Sequence, residues 1–133
     1  MILVDTSVLI DVLRARRTGP SDRLREMVRQ GTPYAIPLPC LQEVLQGARD
    51  ETDWQALKRF LAGEEIVQPR DWRAAAGEAA RIFYDCRRRG LTVRSSVDCL
   101  IAAIALERND ILLHDDDDFD AIARIRPLRS LRR

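Results

Sequence analysis

The chain has 133 residues, 46% of them hydrophobic and 32% charged, the balance of a single soluble globular domain. Its 22 basic and 21 acidic residues leave a formal charge of +1, which excludes a polybasic nucleic-acid tail and an acidic disordered chain. The longest fully apolar run, residues 99–106, is far short of a membrane span, and no charged leader or cleavage site precedes Ile2, so a cytoplasmic protein is expected.

Ile2, Leu3 and Val4 read as a short buried strand ending at Asp5, and Ser7 is placed to cap a helix carrying Val8, Leu9, Val12 and Leu13 on one stripe. Gly19-Pro20 breaks the chain before a second helix, with Leu24, Met27 and Val28 on its apolar face and Gly31 as its stop. Tyr34, Ala35 and Ile36 suggest another strand. Pro37 and Pro39 lead into a helix whose apolar side holds Leu41, Val44, Leu45 and Ala48. Thr52 and Gln55 have capping-box spacing, and Glu65-Ile66-Val67-Gln68 is a weak strand.

Residues 71–89 carry the longest helical pattern, with Asp71 at its positive end, Arg87, Arg88 and Arg89 at its negative end, and Gly90 after it. Ser95 or Ser96 caps the apolar run at 97–106. Ile111, Leu112 and Leu113 form a strand, and a short helix begins near Asp115. Ile125 and Leu128 flank Pro127 as an edge strand. Strands separated by helices imply an α/β fold: one domain over residues 1–133, with a central parallel sheet flanked by helices on both faces.

The side chains that carry chemistry are few in kind. Cys40, Cys86 and Cys99 form no CxxC pair, so buried reduced thiols are expected. His114 is the single histidine, which disfavours structural zinc, a two-histidine ribonuclease and a Ser-His-Asp hydrolase. Carboxylates remain. Asp5 falls at the carboxyl end of the first strand, where open α/β sheets place their sites. Asp98 opens a helix that looks buried all round, and a carboxylate aligned with a buried face is costly unless paired or metal-bound. Asp115, Asp116, Asp117, Asp118 and Asp120 follow the strand at 111–113. Two such charges 5 Å apart repel by about 3 kcal/mol at an effective dielectric of 20, which a bound divalent cation would offset. Glu43 lies about 150° around its helix from the apolar stripe, and periodicity alone makes it an exposed glutamate.

Together these segments resemble the four motifs of the PIN-domain ribonucleases, in order and across essentially the whole chain. Leu3-Val4-Asp5-Thr6-Ser7 resembles the first motif, and Leu38-Pro39 followed by Glu43-Val44 and Gly47 the second. Ser96-Val97-Asp98-Cys99 resembles the third, and His114-Asp115-Asp116-Asp117-Asp118-Phe119 the fourth, an Asp-x-Asp-Phe after a strand. At this length the match is to the VapC toxin branch of type II toxin–antitoxin systems. The resemblance implies an endoribonuclease that uses Mg²⁺ or Mn²⁺. With one histidine for acid–base work, in-line attack by metal-activated water, leaving 5′-phosphate and 3′-hydroxyl ends, is the expected chemistry. The resemblance also implies Asp5, Glu43, Asp98 and Asp116 as catalytic acids, with Asp5, Asp98 and Asp116 as metal ligands and Thr6, Ser96 and Asp118 in support. Asp115 and Asp117 are the alternative registers of the fourth acid. A cognate VapB-like antitoxin, a transfer or ribosomal RNA substrate and a homodimer are also implied.

The charge distribution agrees with that reading. Residues 109–120 hold six acids and no Arg or Lys, whereas 121–133 hold Arg124, Arg126, Arg129, Arg132 and Arg133 and no acid, the pattern of a cation pocket beside a phosphate-attracting rim. Two other readings compete: a phosphoacceptor receiver domain, for which Lys58 would have to serve as the site lysine, and a degenerate domain that only binds a protein.

Overall fold

The computed structural model describes residues 1–132. Five short strands, β1 (Ile2–Val4), β2 (Tyr34–Pro37), β3 (Ile66–Val67), β4 (Ile111–Leu113) and β5 (Ser130–Leu131), form one sheet in the order β3-β2-β1-β4-β5. Every pairing is parallel, with Leu3 opposite Ala35 on one side and Leu112 on the other. Successive residues of a strand face opposite sides of a sheet. Leu3 and Val4 are both fully buried, as are Ala35 with Ile36 and Leu112 with Leu113, so helices cover both faces. The expected α/β architecture is therefore present.

β1 connects through α1 (Thr6–Leu13) and α2 (Gly19–Gln30) to β2, and β2 through α3 (Leu38–Gln46) and α4 (Glu51–Ala62) to β3. The chain then returns across the sheet through α5 (Trp72–Arg88) and α6 (Ser96–Arg108) to β4, and α7 (Asp117–Ala123) leads to β5. This reversal places a topological switch between β1 and β4, and sheets of this kind place their sites in the crevice beyond the carboxyl ends of the strands at such a switch.

Several local details differ from the sequence expectations, each for a visible reason. Asp5, not Ser7, caps α1, because its carboxylate reaches the Ser7 N–H at 3.0 Å. Gly19-Pro20 starts α2 rather than breaking the chain, since Thr18 caps it and proline suits a first turn. Asp50 displaces Thr52 as the cap of α4 by accepting the Asp53 N–H at 2.7 Å. α7 begins at Asp117 with Asp116 as its cap. The edge strand is Ser130–Leu131 rather than the segment around Pro127: Ile125 is still bonded back to Ile122 in the tail of α7, and proline offers no N–H to a ladder. The weak strand expected at residues 65–68 does form, over its two central residues Ile66–Val67, beside Ile36 and Pro37. Gly90 ends the long helix region with φ 71°, a left-handed conformation that glycine adopts without steric cost. All three cysteines are free and buried.

Candidate active site

The carboxyl end of β1 fixes the first acid. The Asp5 N–H donates to the Leu113 carbonyl at 3.0 Å, which extends the β1–β4 ladder by one rung. The Asp5 side chain is buried, and its Oδ2 accepts the Ser7 hydroxyl at 2.6 Å as well as the Ser7 N–H. Burial pushes the Asp5 carboxyl up to about 6; the Ser7 bonds pull against this, and the Glu43 charge adds to it. Ser7 Oγ also accepts the Asp115 N–H at 3.0 Å, so one hydroxyl ties the ends of both central strands. Ser7 is a positioning residue that the sequence showed only as a helix cap. Its position two residues after Asp5 is the local signal, but nothing in the pattern points to a contact 108 residues away.

Glu43 is not the exposed glutamate that helical periodicity suggests. The Thr6 hydroxyl donates to its Oε1 at 2.8 Å, folding α3 against the start of α1 and leaving Glu43 half-buried. Cys40, one turn earlier on α3, brings its Sγ to 3.8 Å from Asp5 Oδ1. Donor atoms of Asp5, Cys40 and Glu43 all lie within 4.8 Å of one another.

Asp98 stands in the first turn of α6, 5% exposed, and its Oδ2 is buried without a hydrogen-bond partner. Its donor atoms group with those of Asp116 and Asp118, again within 4.8 Å. Burial is the main cause that lifts the Asp98 carboxyl to about 9; a hydrogen bond with Asp118 and the charges of Asp5, Asp116 and Asp118 follow. Asp118 is itself anchored. It accepts the Arg94 N–H at 3.0 and 3.1 Å and the Ser95 N–H at 3.0 Å, so it serves the α6 N-terminus in place of a Ser95 side-chain cap. Ser96, expected in support, is exposed at the start of α6.

The run of aspartates sorts itself by partner. Asp116 caps α7 through the Asp118 N–H at 2.9 Å, and its own N–H donates to His114 Nδ1 at 3.2 Å. That bond leaves the imidazole proton on Nε2. His114 is fully buried, with its ring 5.0 Å from Phe119, and burial depresses its pKa. It is a neutral scaffold for the loop. Asp115, Asp117 and Asp120 all pair with Arg132, while Asp116 and Asp118 group with Asp98.

The arginine rim read from the sequence is corrected in the same way. Arg126 binds Glu78 at 2.9 Å and Asp85 at 2.8 Å, Arg129 donates to the Asn109 carbonyl, and Arg132 takes three aspartates. Arg126 and Arg132 serve the protein's own acids and Arg129 a backbone carbonyl, which a count of charges along the chain does not reveal. Arg87, Arg88, Arg89, Arg94 and Arg124 are exposed. Arg133 lies outside the described residues.

The donor chemistry fits a divalent cation. Asp98, Asp116 and Asp118 are hard oxygen donors, burial and the neighbouring acids push the Asp98 carboxyl up, and one of its buried oxygens lacks any donor. Such a set suits Mg²⁺ or Mn²⁺ over thiophilic metals. Among the described residues, no helix is long and apolar enough to cross a membrane.

Comparison with known proteins agrees with this arrangement. The PIN domain family model matches residues 2–125. Ribonuclease VapC11 of Mycobacterium tuberculosis is 37% identical over 98% of this chain and 97% of its own length. Ribonuclease VapC51 of the same organism is 32% identical over 92% of the chain and 85% of its own. VapBC2 from Rickettsia felis, solved bound to a promoter DNA fragment, superposes with a TM-score of 0.74 at 20% identity, covering 98% of both chains. VapBC-5 from Mycobacterium tuberculosis gives 0.68 at 24% identity, over 98% of this chain and 97% of that one. With motif order, sheet topology and near-full-length identity in agreement, the chain belongs to the PIN-domain family, among the VapC ribonucleases.

Proposed function

We infer that the protein is a Mg²⁺- or Mn²⁺-dependent endoribonuclease, the toxin of a pair whose cognate VapB-like antitoxin holds it inactive. The observation that carries this reading is the buried, unpartnered Asp98 carboxylate oxygen grouped with Asp116 and Asp118, in a chain 37% identical to a ribonuclease. A bound cation supplies the positive charge that stabilises phosphate oxygens and makes water acidic enough to attack. Asp98, Asp116 and Asp118, which the fold groups together, would hold it, with Asp118 a ligand rather than a support and Asp5, expected as a ligand, grouped instead with Cys40 and Glu43 at the end of β1.

The remaining residues set position and proton flow. Asp5, at about 6, is mostly ionised at neutral pH and adds negative charge opposite Asp98. Glu43, kept in place by Thr6, accepts the proton that the attacking water loses. Ser7 and His114 fix the backbone on either side of the crevice. Exposed Arg87, Arg88, Arg89 and Arg94 draw the RNA backbone towards it by charge, without reading sequence. The receiver-domain alternative gains no support, because Lys58 is an exposed residue of α4 with no bond to the acids.

The antitoxin follows from the relatives, which were solved as VapBC pairs. The homodimer belongs to the same proposal. An apolar cavity of about 460 Å³ lined by Leu38, Leu41, Trp72 and Leu100 is a surface available to a second copy.

The test uses EDTA-treated protein with structured transfer and ribosomal RNAs. Cleavage is expected on adding Mg²⁺ or Mn²⁺, and none with Asp5→Asn or Asp98→Asn. Cleavage persisting in EDTA or in both variants would overturn the reading, and a wild type silent on every RNA would favour a binding module. Thr6→Val, which deletes the hydroxyl that holds Glu43, should lower kcat about tenfold with KM and melting temperature little changed. Steady-state kinetics on a cleaved RNA checks it; an unchanged kcat would remove Glu43 placement from the mechanism.

A further inference from the structure

Five aspartates follow β4 within six residues, and three of them pair with a single side chain, Arg132. β5 pairs with β4 so that Leu131 lies opposite Leu113, and the His114 N–H donates to the Leu131 carbonyl at 3.0 Å. This sets Arg132, the next residue, beside the turn into α7. Its Nε donates to Asp115 Oδ1 at 3.1 Å and its NH1 to Asp117 Oδ1 at 2.7 Å, and NH1 also bonds Asp120 Oδ2. Asp115 and Asp117 are the immediate neighbours of Asp116 in sequence, on either side of it. On the outer side a cavity of about 560 Å³ is lined by Thr18, Gly19, Pro20, Asp115, Asp117 and Arg132, so ions reach this face directly from solvent.

We propose that Arg132 is a positioning residue that reserves the cation for the Asp98, Asp116 and Asp118 cluster by occupying Asp115, Asp117 and Asp120. A guanidinium suits this role because its charge is permanent and its fork engages several carboxylates at fixed angles. Without it, three carboxylates within a few residues of Asp116 present a second, hard-oxygen face to the same ion. The loop then has competing arrangements, and the fourth acid no longer has a unique register. The inference rests on the cation-dependent reading of the crevice.

The experiment counts Mn²⁺ ions by the EPR signal of the free ion during titration of the full chain, alongside single-turnover and steady-state cleavage. For Arg132→Ala, binding of at least one additional Mn²⁺ and an about tenfold lower kcat with unchanged KM are expected. Adding Asp115→Asn, Asp117→Asn and Asp120→Asn to that variant should return both the ion count and kcat to near the wild-type values. An unchanged ion count or an unchanged kcat in Arg132→Ala would overturn the proposal. So would a raised KM, which would mean direct contact with RNA, or a loss that the three asparagines fail to restore, which would mean a purely structural role. Should Arg132→Ala not fold, Arg132→Lys keeps the charge but loses the fork, and wild-type behaviour of that variant would overturn the proposal. A wild type that binds no Mn²⁺ would instead contradict the cation-dependent reading itself, and this proposal with it.

Discussion

Replacing Asp98 with asparagine is expected to reduce RNA cleavage by about a thousandfold or more while making the cation-free protein harder to melt. The two effects share one cause. Asp98 is buried beside Asp118 with one oxygen unpartnered, and its carboxyl is raised to about 9. In the unfolded chain an aspartate ionises near 3.9, so between about pH 4 and 9 the unfolded state gains an ionisation that the folded state resists. Stability contributed by the protonated folded form is therefore complete only below about pH 4 and declines as pH rises towards 9. Asparagine cannot ionise, and its amide donates to Asp118 as the protonated acid does. Removing the conflict should stabilise the fold by about 1–2 kcal/mol at neutral pH, a rise of roughly 3–8 °C in melting temperature. Calorimetry with EDTA present, paired with a cleavage assay, checks both halves. A lowered melting temperature would identify Asp98 as a structural group rather than a strained functional one.

The affinity for a divalent cation should climb steeply with pH. A carboxyl held at about 9 is protonated at neutral pH, and a cation binding there displaces that proton. Displacing one proton makes the apparent affinity rise about tenfold per pH unit from 6 to 9 and level off above it. Below pH 6 the slope should steepen further, because Asp5, raised to about 6, then takes up a proton as well. Mn²⁺ titrations across this range measure the slope directly, and calorimetry in buffers of different ionisation enthalpy counts the protons released. A flat profile between pH 6 and 9 would show that Asp98 is already ionised before the metal arrives.

How much of the molecule was legible in the sequence depended on the distance between partners. β1 and Asp5 were readable because a branched apolar run ending in an acid is a local pattern. The sheet class followed from the alternation of strands and helices. Asp98 stood out because a carboxylate opening an all-round buried helix is a local contradiction that demands a partner. Glu43 was different. The helical wheel placed it in solvent, since the hydroxyl that holds it belongs to Thr6, 37 residues earlier, and only motif resemblance brought it into the site. Asp118 shows the same limit. It was placed in support by its motif, yet its hold on the Arg94 and Ser95 backbone, across 24 and 23 residues, is a tertiary fact.

The charge pattern misled for a related reason. Acids followed by arginines along the chain looked like a cation pocket next to a phosphate rim. In the folded protein the chain doubles back through β5, so Arg132 meets the acids of the preceding loop, while Arg126 crosses to Glu78 and Asp85 on α5. Segregation in sequence became pairing in space. The arginines at 87–89 and 94, which flank the entry to α6, stay exposed.

The most direct test of the central claim is the chemical identity of the cleaved ends. Hydrolysis by water in a carboxylate-held cation site leaves a 5′-phosphate and a 3′-hydroxyl, whereas attack by the RNA's own 2′-hydroxyl leaves a 2′,3′-cyclic phosphate and a 5′-hydroxyl. Products made by the wild-type protein with Mg²⁺ or Mn²⁺ should ligate through a 5′-phosphate without prior kinase treatment. Fragments that require phosphorylation before ligation, or that carry cyclic phosphate at their 3′ ends, would contradict the account.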